Sequence, residues 1–200
     1  MAKIRILAAV GAAALLGSLA QSARASDDSY KFLESVKKAD YAQVSKTLSQ
    51  NPGLVNTHDL SDGHTALMIA TTRLDAPWMQ YLIALHADVN GHDDAGVTPL
   101  IVAVRAGFDE GAKVLVENGA RANISDRTGE TPLITAVHNR NLAMMRVLLA
   151  AGADPDRADN SGRSARDYVK LAGSTTMADV LANTVRPKAV TGGATYGPHR

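Results

Sequence analysis

The chain has 200 residues, a formal charge of +1, 20% charged and 46% hydrophobic residues, eight aromatics and no cysteine. Such a composition supports a folded core of Ala, Leu, Val, Ile and Met and is too apolar for wholesale disorder. The missing cysteine excludes a disulfide scaffold, a thiol nucleophile and a lipid-modified N-terminal cysteine.

Lys3 and Arg5 precede an apolar run from Ile6 to Leu16, and small residues lead on to Ala23-Arg24-Ala25. A short basic region, a hydrophobic segment and a small-x-small ending predict a secretory signal peptide over residues 1–25, cleaved after Ala25. The run is too short for a membrane span, and the twin-arginine pair is missing, so the general secretion route is expected. The mature protein is then periplasmic or secreted, free of the membrane. Loss of Lys3, Arg5 and Arg24 leaves 18 bases against 20 acids, a net charge of −2. No basic excess remains to attract nucleic acid.

From residue 30 to 56 the apolar positions Phe32, Leu33 and Val36, then Tyr41, Val44 and Leu48, recur at helical spacing and end at Asn51-Pro52-Gly53. Beyond this point the chain repeats itself. Gly63, Gly96, Gly129 and Gly162 stand 33 residues apart, as do Thr65, Thr98, Thr131 and Ser164. The same interval of 33 links Leu67, Leu100 and Leu133, then Leu82, Leu115 and Leu148, and finally Asn90, Asn123 and Asp156. A fixed period of this size is the mark of a solenoid.

Within one unit the order is legible. Asp93-Asp94-Ala95-Gly96 is a turn, because Asp bonds its own backbone and Gly accepts positive φ. Thr98 caps a helix whose first position is Pro99, where a missing N–H costs nothing. Gly107 ends that helix, and a second runs from near Asp109 to Asn118-Gly119. The unit is a hairpin-like finger, a short helix, a turn and a longer helix.

The runs Gly96-Val97-Thr98-Pro99-Leu100 and Gly129-Glu130-Thr131-Pro132-Leu133, with the weaker Gly63-His64-Thr65-Ala66-Leu67, resemble the ankyrin repeat. So do the endings Gly119-Ala120-Arg121-Ala122-Asn123 and Gly152-Ala153-Asp154-Pro155-Asp156. The resemblance implies an all-α repeat solenoid, a stack of about five helix-turn-helix units with hairpin-like fingers. The units fall at about 27–59, 60–92, 93–125, 126–158 and 159–183, and residues 184–200, without apolar periodicity, are expected to be disordered. Three departures stand out. Met68, Ile101 and Ile134 replace the family's His, which shifts stabilisation from hydrogen bonding toward burial. The finger from Asn56 to Gly63 is one residue longer than that from Asn90 to Gly96. Leu74-Asp75-Ala76-Pro77-Trp78 stands where the next unit has Gly107-Phe108-Asp109-Glu110-Gly111, so Trp78 is expected in the core, with its ring beside Gly111.

No catalytic or nucleotide-binding motif is present, and the resemblance implies a non-enzymatic module without a cofactor. His58 and His92 occupy equivalent places in adjacent fingers, but neighbouring elements about 8–10 Å apart do not share an ion whose ligands lie about 2 Å from it. A small-ligand or metal-binding periplasmic protein is therefore the second reading, and protein binding the first. In the family, fingertips and the exposed side of the first helix grip partners. Carried over by register, the first-helix positions are Thr72, Arg73, Arg105, His138, Asn139 and Arg140. The finger positions are His92, Asp94, Ser125, Arg127, Thr128, Arg157, Asn160 and Ser161. Residues 26–120 carry a net −6 and residues 121–185 a net +1, so a protein partner with an acidic surface is expected at the end of the groove carrying Arg127, Arg140 and Arg157, bound by a monomer.

Overall fold

The computed structural model describes residues 27–184. The predicted signal peptide, and all of the predicted tail after Thr184, lie outside these residues.

Five helix pairs follow one another. The first is α1 (residues 27–37) and α2 (Tyr41–Gln50), closed by a short 3-10 turn at Pro52–Asn56. Then come α3 (Ala66–Thr72) with α4 (Ala76–Ala84), α5 (Pro99–Arg105) with α6 (Asp109–Glu117), and α7 (Pro132–His138) with α8 (Leu142–Ala150). The last pair is α9 (Ala165–Ala172) and α10 (Thr175–Thr184). The first helix of each repeating unit starts where the capping residue was expected. The hydroxyls of Thr65, Thr98, Thr131 and Ser164 accept from the backbone N–H three residues on, and Pro99 and Pro132 occupy the opening turn.

Helices of seven to eleven residues are marginal in isolation, so packing must hold them. Each first helix packs on its own second helix and on the first helix of the next unit: α3 on α4 and α5, α5 on α6 and α7. The periodic leucines Leu67, Leu100 and Leu133, with Leu82, Leu115 and Leu148, are all buried. So are Met68, Ile101 and Ile134, which confirms that the expected histidine site is apolar here.

Trp78 is fully buried, with 0% exposure, but it looks backwards along the stack. Its ring meets Tyr41 edge-on at 4.0 Å and stacks on Tyr81 at 5.2 Å. The three atoms nearest to where a side chain on Gly111 would stand all belong to the Phe108 ring. The expected reason for Gly111 is therefore corrected. Gly111 makes room for a ring one helical turn before it, and Trp78 joins the first two helix pairs.

Polar stitching between units comes from the residue that closes each one. Asn56 donates to the His86 carbonyl at 3.2 Å and accepts from the Asp88 N–H at 2.7 Å. Asn90 does the same with Gly119 and Arg121, at 3.1 and 2.9 Å, and Asn123 with Gly152 and Asp154, at 3.0 and 2.7 Å. A carboxamide carries an N–H donor and a carbonyl acceptor on one planar group and so does both at once. Each pair satisfies a carbonyl and an amide left over at the end of a second helix. At about 1 kcal/mol per bond, Asn90→Ala is expected to cost about 2 kcal/mol, and Asn90→Asp nearly half of that or more, because the donor is lost. Urea unfolding followed by circular dichroism measures both.

Candidate functional site

The concave side is built on four fingers, each opened by an aspartate. In three of them a glycine N–H closes the turn onto the aspartate carbonyl three residues back: Gly96 to Asp93, Gly129 to Asp126 and Gly162 to Asp159, each at 3.0 Å. In the longer first finger Gly63 reaches back four residues to Asp59 at 2.9 Å. The extra residue displaces Leu60 outward, where it is 89% exposed. Antiparallel pairings His58–Thr65 and Ala158–Ser164 mark the bases of the first and last fingers.

The aspartate side chains lock the turns. Asp59 accepts from the Ser61 hydroxyl at 2.6 Å and its N–H at 2.9 Å, and Asp93 from the N–H groups of Ala95 and Val97 at 2.8 and 2.9 Å. Asp126 accepts from the Thr128 hydroxyl at 2.6 Å and from the Arg105 guanidinium at 2.5 Å. Asp159 accepts from the Ser161 hydroxyl and the Tyr168 hydroxyl, both at 2.7 Å. The Ser61 hydroxyl, its amide and the Lys37 ammonium lower the Asp59 pKa to about 2. Burial alone would raise Asp126, but Thr128 and Arg105 outweigh it and the net shift is downward. Ser161 and Tyr168 hold Asp159 far below the usual carboxylate range.

These shifts have one sign. A folded pKa below the unfolded value stabilises fully above that unfolded value, 3.8 for Asp, and the stabilisation drains away as pH falls through the folded pKa. The stack is thus expected to lose stability steadily from near pH 4 down to about 2. Thermal melts between pH 6 and pH 2 check this, and a melting temperature flat across that window would contradict it.

Eight of the fourteen residues expected to bind a partner also make contacts inside the stack. Thr72 donates to the Met68 carbonyl at 3.0 Å and Arg73 to the Lys37 carbonyl at 2.7 Å. Arg105 pairs with Asp126, whose side chain is only 6% exposed. His138 sits 3.2 Å from Glu130 and packs edge-on against Tyr168 at 4.5 Å. Asn139 donates to the Val104 carbonyl at 3.2 Å, Thr128 and Ser161 complete the turns just described, and Asn160 donates to the Arg127 carbonyl at 2.9 Å. The side chains of His92, Asp94, Arg127, Arg140 and Arg157 are exposed and, with half-buried Ser125, make no hydrogen bond or ion pair among the described residues.

Arg140 has a backbone peculiarity. It lies at φ 52°, in the turn between α7 and α8, at the place taken by Gly107 at φ 66° in the preceding unit. A side chain there costs about 1 kcal/mol, so Arg140→Gly should raise stability by about that amount in urea unfolding.

Two open concavities lie along the fingers. One is lined by His58, His92, Asp93, Asp94, Gly96 and Arg127. The next, beyond Arg127, is lined by Thr128, Glu130, His138, Asn160, Arg163 and Tyr168 among others. Arg127 belongs to both, whereas Arg140 and Arg157 belong to neither. Sequence reasoning passed over Arg163, Glu130 and Tyr168. The available signal was that Arg163 stands 33 residues after Glu130 and 66 after Val97, a register position that never repeats. Among the described residues no group of three His, Asp or Glu is placed to hold a metal ion, and no helix is long and apolar enough to cross a membrane.

Two family profiles match the chain: ankyrin repeats in three copies over residues 32–126, and ankyrin repeats in many copies over residues 115–169. Proteins built from such repeats are in general protein–protein interaction modules and typically non-enzymatic scaffolds. With its 33-residue period, capped helix pairs and aspartate-locked fingers, the chain belongs to the ankyrin repeat family.

Proposed function

We propose that this protein is an exported, non-enzymatic module that binds a partner protein through its fingers and concave face. The observation that supports the reading is a division of labour. The repeating polar residues are consumed by internal hydrogen bonds, while the unpaired side chains Asp94, Arg127 and Arg157 stand on the fingers and differ from unit to unit. A surface held rigid from within loses little entropy on docking, which favours recognition.

Export and binding are tested together. A photocrosslinking amino acid placed at His92 or Arg157 in the producing cell should give discrete protein adducts, and one at Lys113 on α6 should not. Equal labelling from all three positions would overturn the binding face. Mass analysis of the same protein should find Ser26 at its N-terminus, and a retained Met1 would overturn export.

A further inference from the structure

The unpaired cations are not spread evenly. Arg127 and Arg163 border the same concavity, and neither guanidinium has an acidic partner among the described residues. Two carboxylates share that concavity, but both are already engaged. Glu130 accepts from the Thr135 hydroxyl at 2.9 Å and lies 3.2 Å from His138. Asp159 takes the Ser161 and Tyr168 hydroxyls together with the Ser161 and Arg163 N–H groups, at 2.7 to 3.1 Å. The fold thus satisfies its acids here with neutral donors and leaves two guanidinium groups to solvent.

Both arginines also grow from immobilised backbone. Arg127 N–H donates to the Ala95 carbonyl at 3.1 Å, and the Arg127 carbonyl accepts from Asn160 at 2.9 Å, so three successive fingers are tied at this one residue. The Asn160 N–H adds a bond to the Thr128 carbonyl at 3.2 Å. Arg163 is joined to Asp159 twice, through its carbonyl at 2.9 Å and its N–H at 3.1 Å. The edge-on rings of His138 and Tyr168 supply a firm wall for the same concavity. Planar guanidinium forks suit carboxylates, which they bind bidentately, and a backbone already held in place lowers part of the entropic cost of doing so.

From this geometry we infer that the concavity between the third and fourth fingers is a carboxylate clamp, and that it seats an acidic segment of the partner chain between Arg127 and Arg163. The inference rests on the interaction reading above and names the chemistry of its partner. It relocates the acid-binding end of the groove, because Arg140 and Arg157 do not line this concavity.

The probe is a fluorescein-labelled glutamate decapeptide, followed by fluorescence anisotropy on the purified chain, with a glutamine decapeptide as control. The acidic peptide should bind and weaken as salt rises from about 20 to about 200 mM, and the glutamine peptide should not bind. Arg127→Gln with Arg163→Gln should lower affinity about tenfold or more at low salt, with unchanged helical circular dichroism. Arg140→Gln with Arg157→Gln, which removes the same charge elsewhere, should lower it less than about threefold. No binding of the glutamate peptide at about 1 mM, equal losses in the two double variants, or no loss in the first would overturn the clamp. An oligonucleotide of matched charge that competes as well as the peptide would overturn it too. None of these results bears on the crosslinking test, which judges the interaction reading by itself.

Discussion

Trp78→Ala is expected to lower stability by about 3–5 kcal/mol, the largest single loss available in the first half of the stack. The ring is fully enclosed, meets Tyr41 and Tyr81, and joins the first two helix pairs, so its removal leaves a cavity and severs their contact. A domain typically holds only about 5–15 kcal/mol in total, and repeats unfold by nearest-neighbour terms. Unfolding should therefore lose its single transition, with the first helix pair melting before the rest. Trp78→Phe provides the contrast. The indole Nε1 is buried and finds no hydrogen-bond partner, so deleting it removes an unsatisfied donor along with some packing. The phenylalanine variant should stay within about 1.5 kcal/mol of the parent in urea unfolding. Equal losses for Phe and Ala would show that the volume of a phenyl ring contributes nothing at this position.

The second large effect is expected at a finger. Gly129 has φ 78°, and a Cβ there would lie 2.7 Å from the Asn160 backbone nitrogen and 2.6 Å from its side-chain oxygen. Gly162 has nearly the same φ, 80°, but nothing within 4 Å of that point. Both alanine variants carry the backbone cost of about 1 kcal/mol, and only Gly129→Ala adds an overpacking cost of about 1–3 kcal/mol. The difference between the two thus isolates the contact between the third and fourth fingers. Gly129→Ala should also weaken binding of the acidic peptide, because Arg127 and Arg163 stand on the two fingers it pushes apart. Chemical unfolding gives the first quantity and anisotropy the second.

The scaffold was legible because each of its devices is local or strictly periodic. Thr98 before Pro99, Gly107 after a helical stripe and Asn118-Gly119 at the end of another all declare themselves within a few residues, and the structure places helix ends at each of them. The site was less legible. Arg105, Asn139 and Asn160 look like free surface in one dimension, yet their partners Asp126, Val104 and Arg127 are 21 to 35 residues away. Such pairings depend on how one unit leans on the next, which a period does not reveal. Trp78 shows the same limit: its register predicts burial, but which neighbour it faces depends on the tilt of α4. Arg163 and Tyr168 went unnoticed for a different reason. Their register was readable from Gly162 and Ser164, but a position that differs in every unit declares no role until the fold sets it beside Arg127.

The asparagine stitches stop one unit short of the end. Where Asn56, Asn90 and Asn123 each hold the next second helix, the fourth unit closes with Asp156, which has no hydrogen to give a carbonyl and instead grips Arg166 at 2.7 and 3.2 Å. The fifth unit is tied to the fourth at its finger, through Asn160 and Tyr168, and at the start of α9, through Arg166, while among the described residues no asparagine stitch reaches its second helix. Heat or mechanical load would therefore lift α10 like a cover on a spine, swinging away from the convex back while the front edge stays bound. Amide exchange should run fastest in α10 and slow sharply at the Asn160 N–H. The groove that carries the free arginines could then survive breathing at the end of the stack, keeping recognition separate from fraying.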